Sequence, residues 1–379
     1  MDKNQPAEPR ALTRTQRHQK KKKTKKNRGR AWLIVLGVVL ILGLGGYIFR
    51  KELMVLAFDT LLADTVKDTL DKSYEPIAQD NKGGGEEELS VAELSKEPFS
   101  VLLLGTDQRD KEIARTDSII YSVVRPADNK VLLVSIPRDS YVKMVGTPTI
   151  KGTRSKTKIN AAYAYGGAQM SVDTVEALLD HDVDYYATIN FNGLKDVVNA
   201  MGGVELPITE KIENKQADHE KFTIEPNKPI YDGTEALNYV RYREDSDFKR
   251  TERHRIFLKQ MLNRMKNVEN IAKIPELIGI AGQNFKTNMT SDFMLSLAKT
   301  VILSDATPNI SSHMLQGEGV SRDAWYYELD DDDLQETIDS IGKWLDPNST
   351  AADLAVDDTD AGGDSHTDQE GQPAGDVGQ

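Results

Sequence analysis

Phe99 to Ser140 reads FSVLLLGTDQRDKEIARTDSIIYSVVRPADNKVLLVSIPRDS, and its pattern sets the fold. It contains three β-rich runs: FSVLLLGTD, SIIYSVVRP and KVLLVSIPRDS. The last two are joined by a turn at Pro126 to Asn129. Runs as continuously apolar as VLLL and VLLV suit strands covered on both faces. Downstream, INAAYAYGGAQMSVDTVEALLD has helical period, broken at Gly166-Gly167. YYATINF reads as a strand, and NGLKDVVNAMGG as a helix closed by a glycine pair. The alternation predicts an α/β sandwich around a mainly buried sheet. Residues 208–230 are polar with few apolar anchors and read as a surface loop. GTEALNYVRYRE, TERHRIFLKQMLNRMKNVENIAKIPELI and SDFMLSLAKTVIL read as helices. The run Asp330 to Asp333 precedes the helical pattern LQETIDSIGKWL. Acids at a helix N-terminus are favoured by the macrodipole, which is the simpler reading; a cation site is the alternative.

Outward from this body the composition changes. The chain of 379 residues has a net charge of −12. Its first 30 residues hold 12 Lys/Arg and two acids, so a basic arm of +10 precedes a remainder of −22. Ala31 to Phe49, AWLIVLGVVLILGLGGYIF, carries no charge. Nineteen helical residues extend about 28 Å, close to the hydrocarbon thickness of a bilayer. The run KKKKTKK before it outweighs Arg50 and Lys51 behind it. The positive-inside bias then predicts a cytoplasmic N-terminus and an extracellular body. The apolar stretch is long and exits into RKELMVLAF without an A-x-A pattern, which favours a retained signal-anchor over a cleaved signal. Topology and anionic headgroups account for the basic run, so no nucleic-acid partner is expected. Residues 50–97 read as an amphipathic stalk to about residue 77, followed by an acidic hinge at Asn81 to Ser90. The globular body is expected at 98–346 and a disordered acidic tail at 347–379.

Several chemistries are excluded. There is no cysteine, which removes thiolate metal sites, disulfides and Cys nucleophiles. The six histidines form no H-x-x-x-H or H-E-x-x-H pattern, and neither G-x-S-x-G nor a P-loop occurs. Arginine and aspartate at strand ends stand out instead. Asp107 and Arg109 follow the first strand, Arg115 and Asp117 precede the second, and Arg138 and Asp139 follow the third. Ligand sites in open α/β folds gather outside the carboxyl ends of strands, which suits Asp107 and Arg138. A second cluster, RYREDSDFKRTERHR, offers Arg241, Arg243, Arg250, Arg253 and Arg255. Arg241 and Arg243 are expected to share one side of an extended segment. Arg250, Arg253 and His254 are expected to share one helix face. Two readings stay open on these residues alone. One is a salt-bridged surface with Glu244, Asp245, Asp247 and Glu252; the other is a guanidinium grip on phosphate. In the second, Asp107 and Asp117 would hold a hard cation such as Mg²⁺ (or Mn²⁺) with phosphate oxygens.

The body resembles the LytR-CpsA-Psr family of cell-envelope proteins. The matching stretches are LLLGTDQR, RTDSIIYSVV, VSIPRDSYV, KINAAYAYGG, YYATINFNGLKDVVNAMGGVEL and DGTEALNYVRYREDSDFKRTERH, in family order across Phe99 to Met265. The resemblance implies an αβα sandwich with a central mixed sheet and a lipid groove between sheet and helices. It implies a membrane-anchored phosphotransferase of Gram-positive type envelopes. Such enzymes move a polyprenyl-diphosphate-linked glycopolymer, a teichoic acid or capsular polysaccharide, onto a peptidoglycan hydroxyl. Carried over, Asp107 and Asp117 match magnesium-linked aspartates, and Arg115, Arg138, Arg241, Arg243 and Arg250 match arginines facing the pyrophosphate. Asp247 matches the aspartate of a D-F-G-R stretch, in which Lys249 here replaces Gly. His254 stands where many members have Gln, and it retains the ability to donate to a phosphate oxygen. Asp107 and Asp247 are the candidates for taking the acceptor proton. Two other functions compete: a non-catalytic envelope regulator of the transcription-attenuator type, and a pyrophosphatase of the same lipid carriers.

Overall fold

The three apolar runs pair into the middle of one sheet, and everything that positions the site hangs from them. The computed structural model describes residues 67–77 except 69, 96–107, 115–148, 151–215, 221–242, 247–265, 284–303 and 308–354, together with positions 245, 277, 279 and 280. These belong to one unit, Leu62–Gln379. The basic arm, the apolar stretch Ala31–Phe49, the stalk up to residue 66, the Asn81–Ser90 hinge and the chain beyond 354 lie outside the described residues. Among the described residues, no helix is long and apolar enough to cross a membrane.

In chain order the elements begin with β1 (Phe99–Thr106), β2 (Thr116–Arg125), β3 (Lys130–Ser135), β4 (Tyr141–Lys143) and β5 (Lys156–Lys158). Next come α1 (Ala161–Leu179), β6 (Tyr185–Asn190), α2 (Phe191–Ala200), β7 (Ile212–Asn214) and β8 (Phe222–Ile224). The series continues with α3 (Gly233–Arg241), α4 (Asp247–Met265), β9 (Phe285–Thr287) and α5 (Ser291–Leu303). It ends with β10 (Asn309–Met314), β11 (Gly317–Ser321), β12 (Trp325–Leu329) and α6 (Asp331–Leu345). The main sheet has the order β10-β3-β2-β1-β6-β9. It is mixed: β1 runs antiparallel to β2 and parallel to β6, and β3 runs antiparallel to β2 and parallel to β10.

Alternation along β1 assigns its two faces. Leu102 and Leu104 pack with Tyr121, Val123, Leu132 and Val134 beneath α1 and α6, where Ile341 and Trp344 close the layer. Phe99 and Val101 point the other way, against Met289 and Phe293. There the Phe293 ring lies 5.4 Å from Phe99 and stacks on Tyr185 at 4.6 Å. A second core joins α2, α3 and α4 through Val198, Tyr231, Leu237 and Phe257. Helices thus cover both faces of a central mixed sheet, the αβα arrangement that the sequence implied.

Several local expectations are met and several are not. Gly166 and Gly167 break α1 with non-helical backbone, Gly167 at φ +67 where a side chain would be strained. Of the acids at the start of α6, one caps the helix and another binds the chain between β10 and β11. Asp330 accepts from the Asp332 and Asp333 amides. Asp333 accepts from the Gln316 amide at 2.8 Å, with His313 Nε2 3.0 Å from its other oxygen. The expected loop at 208–230 contains a small hairpin, β7–β8. The end of the stalk packs on the domain, with Leu70 and Ile77 buried and the Tyr186 hydroxyl donating to the Glu75 carbonyl at 2.7 Å. Order also continues past α6. Leu354, inside the stretch expected as tail, is buried with the core residues.

Candidate active site

The sheet face carrying Leu103 is the floor of a large cavity. Leu103 pairs across the strands with Ile120 on one side and Ala187 on the other, and Gly105 with Ser118 and Ile189. All six line the cavity, whose volume is about 1090 Å³. Its roof comes from Phe191, Leu194 and Val197 of α2, Leu237 and Val240 of α3, and Phe257, Leu258 and Met261 of α4. One end is charged: Asp107, Asp117, Arg138, Arg241, Arg250 and His254 all line it.

Each charged group is delivered by a specific device. Asp107 follows β1 where the register with β2 shifts at Gly105/Thr106. Its amide donates to the Arg115 carbonyl at 3.2 Å, and its Oδ1 accepts from the Arg115 amide at 2.9 Å. Asp117 projects from β2. Arg138 sits in the turn after β3, closed by the Ser140 amide donating to the Pro137 carbonyl at 2.9 Å. The Asn160 amide, at the entry to α1, donates to the Arg138 carbonyl at 3.2 Å. The Arg138 Nη1 pairs with Asp117 Oδ1. Its Nε is buried without a hydrogen-bond partner, the Asp139 carboxylate lying 3.5 Å away. A buried donor left in that state is costly, and an anionic oxygen would satisfy it. Arg250 reaches from α4 and donates to the Asp117 main-chain carbonyl.

α3 begins with a capping box, Asp232 and Glu235, and ends at Arg241. Arg241 is therefore helical, which corrects the expectation that it shares an extended segment with Arg243. Its guanidinium lies 4.6 Å from the centre of the Phe191 ring, a cation–π contact that holds it at the cavity rim. Arg243 lies outside the described residues, as does the side chain of Asp247, the first residue of α4. Arg115 is exposed, and its side chain is not among those lining the cavity.

The structure splits the arginine cluster between the cavity and an internal ion pair. Arg250 and His254, one turn apart, face the charged end. Arg253, expected on the same face, is buried and binds the Asp245 carboxylate through Nη1 at 2.6 Å and Nη2 at 3.0 Å. Its Nη2 also donates to the Tyr242 carbonyl at 2.6 Å. Arg253 is thus a clamp that fixes the α3–α4 corner. Burial pushes the neighbouring Tyr239 phenol up to about 12, so that ring is neutral beside it. The His254 Nε2 is 3.0 Å from the Val240 carbonyl, which requires a proton on that nitrogen.

The carboxylates fit a hard cation. Asp107 and Asp117 each use Oδ1 in the contacts given above, which leaves Oδ2 of both for a metal. No group of three or more His or acidic side chains that could hold an ion occurs among the described residues. Two carboxylates without a full protein cage suit Mg²⁺, which keeps waters and shares substrate phosphate oxygens.

Comparison with known proteins agrees with this geometry. Residues 61–342 match the LytR_cpsA_psr family. The chain is 33% identical over 320 residues to the polyisoprenyl-teichoic acid–peptidoglycan teichoic acid transferase TagU of Bacillus subtilis (strain 168), covering 83% of this chain and 94% of that one. Among solved structures, protein gbs0355 of Streptococcus agalactiae superposes with a TM-score of 0.59 at 30% identity, over 70% of this chain and 93% of that one. B. subtilis TagV superposes with a TM-score of 0.55 at 31% identity, over 66% of this chain and 98% of that one. The family match spans the sheet, the cavity and every charged group at its end: the chain belongs to the LytR_cpsA_psr family.

Proposed function

We propose that the protein transfers a glycopolymer, with its proximal phosphate, from a polyprenyl diphosphate carrier to a hydroxyl of peptidoglycan. The observation that carries this reading is a single cavity with an apolar interior and a cationic end. A diphosphate on an isoprenoid has that same division. The polyprenyl chain would lie between the sheet floor and α2–α4, and the diphosphate would meet Arg138, Arg241 and Arg250. The acceptor oxygen bonds to the glycan-side phosphorus, the bond from that phosphorus to the bridging oxygen breaks, and polyprenyl phosphate leaves. Charge grows on the leaving oxygen, where fixed guanidiniums stabilise it without reorganisation. Asp247 opens the helix that carries Arg250 three residues later. It is the carboxylate we assign to the acceptor proton, because Asp107 is committed to the β1–β2 corner. Asp107 and Asp117 would hold Mg²⁺ or Mn²⁺, which when bound neutralises phosphate charge. Teichoic acid is the donor class named for the TagU relative. The apolar stretch Ala31–Phe49 would anchor the chain in the membrane with the domain outside, beside its lipid substrate.

The full-length chain in detergent micelles, given a polyprenyl-diphosphate glycan and uncrosslinked peptidoglycan, should form a phosphodiester-linked product. Free phosphorylated glycan as the only product would mean hydrolysis. No turnover would return the protein to a binding or regulatory role. Chelation by EDTA should abolish transfer, and added Mg²⁺ should restore it.

The cavity itself offers a second check. Ala187 lies on the floor, and a phenyl ring there would occupy the path assigned to the lipid. Ala187→Phe should weaken donor use by about tenfold or more, since burying a few methylenes is worth that much. A short-chain prenyl donor should be less affected than a long-chain one. Equal losses for both would argue against this route for the tail.

A further inference from the structure

The charged residues at the end of the large cavity also line a second, smaller one. Asp117, Arg138, Arg250 and His254 line this space of about 40 Å³ together with Trp325 and Tyr327 of β12. Trp325 is 48% exposed and is one of two large hydrophobic side chains left open among the described residues. The Nε1–Cζ2 edge of its indole packs against Gly319 of β11, where an added Cβ would come within 3.0 Å of Cζ2 and 3.1 Å of Nε1. The hairpin is fixed to the Arg138 turn, because the Tyr327 amide donates to the Asp139 carbonyl at 2.9 Å. The Lys158 ammonium stands over the indole, 5.9 Å from its centroid, and 2.8 Å from the Asp139 carboxylate.

We propose that Trp325 is the stacking platform of an acceptor subsite, which holds a pyranose ring of the peptidoglycan strand at the smaller cavity, beside the charged residues that both cavities share. The inference rests on the phosphotransfer reading and deepens it. In phosphoryl transfer the attacking and leaving oxygens lie roughly in line through phosphorus. If polyprenyl phosphate departs toward the apolar cavity, the attacking hydroxyl needs its own entry to the same charged residues, and the smaller cavity beside the hairpin reaches them. The chemistry there suits a sugar. The axial C–H bonds of a pyranose form an apolar face with positive edges, which packs on the negative face of an indole. Its rim hydroxyls would meet Lys158 and Asp139. A single exposed indole flanked by charges is too small and too polar a patch for a protein interface.

The test uses the full-length chain in micelles with soluble, uncrosslinked peptidoglycan strands as the probe. In Trp325→Ala the half-saturating acceptor concentration should rise about fivefold or more, as loss of one aromatic stack implies. Trp325→Tyr should recover most of it, and donor half-saturation should stay within about twofold in both, as expected of a site that the lipid does not touch. Gly319→Ala, which would lift the indole, should resemble Trp325→Ala. Titration with the strands should change wild-type tryptophan fluorescence but not that of Trp325→Phe. An unchanged acceptor dependence overturns the proposal, as does a rise in donor half-saturation instead, which would give the platform to the donor glycan. If the wild type transfers nothing, the titration still decides. A signal that depends on Trp325 upholds the glycan subsite while the transfer reading falls, and its absence removes the subsite.

Discussion

Arg138→Ala should lower the transfer rate by about 10²–10³-fold while leaving the fold in place, because one preorganised charge donor at a developing anion is worth that much. The position of Arg138 is set by others: the Pro137–Ser140 turn and the Asn160 amide hold its main chain, and Asp117 holds Nη1. The fork cannot swing to follow solvent, and it meets the leaving charge already aligned. Arg138→Lys should recover little, because a lysine provides one compact charge and cannot pair with Asp117 while presenting a second donor to phosphate. Stability should barely move. The Arg138–Asp117 pair is partly solvated, with side-chain exposures of 29% and 20%, and such pairs contribute about 1 kcal/mol or less. Initial rates under saturating donor, paired with thermal melts, check both halves. Transfer within about threefold of wild type would remove Arg138 from the machinery, since even a weak transition-state donor exceeds that.

The sheet was legible because burial on both faces writes the same apolar letters at every position, and VLLL and VLLV carry that mark over their whole length. The same property hid the cavity. Leu102 faces the closed core while Leu103 faces the cavity, yet nothing in the letters separates them. The arginines of α4 show a different limit. Residues 250, 253 and 254 lie within a stripe about 100° wide, enough for its edges to meet different surroundings. Arg253 found Asp245 and turned inward, whereas Arg250 and His254 faced the cavity. Arg241 was misplaced on an extended segment although the capping box Asp232–Glu235 marks where its helix begins. What ends that helix is the extended backbone at Tyr242, ψ 137°, for which the sequence offers no glycine or proline signal. The hairpins β7–β8 and β11–β12 have strands of three and five residues, too short for period-two alternation to stand out. The exposed Trp325 therefore carries no signal in the sequence, and only the hairpin brings it to a cavity shared with Arg138.

Arg125→Met should destabilise the domain by about 3–5 kcal/mol, the cost of breaking a buried charge network from one side. Arg125 ends β2 and is only 2% exposed. Its Nη1 donates to the carbonyls of Trp344 at 2.7 Å and Asp346 at 2.8 Å, and its Nε to Asp128 at 2.5 Å. The carbonyls are the last acceptors of α6, which otherwise have no helical partner. Methionine fills a similar volume but leaves the Trp344 carbonyl without this donor, at about 1–3 kcal/mol, while the Asp346 carbonyl keeps only the Ser349 amide at 3.1 Å. The carboxylate contributes less. Asp128 is 40% exposed and returns to water when released, so Asp128→Asn should cost about 1 kcal/mol or less. The contrast between the two variants identifies the helix end, not the ion pair, as what Arg125 secures. Denaturant melts measure both losses. The consequence should also be local: α6 covers the sheet face opposite the cavity, and Trp344 and Ile341 belong to the core beneath it. Loosening α6 should raise hydrogen exchange in residues 331–345 before it does so in α4, whose anchor is the separate Arg253–Asp245 clamp. Equal loosening of both helices would mean that the two layers unfold as one unit, and that Arg125 stabilises the active-site layer through the sheet.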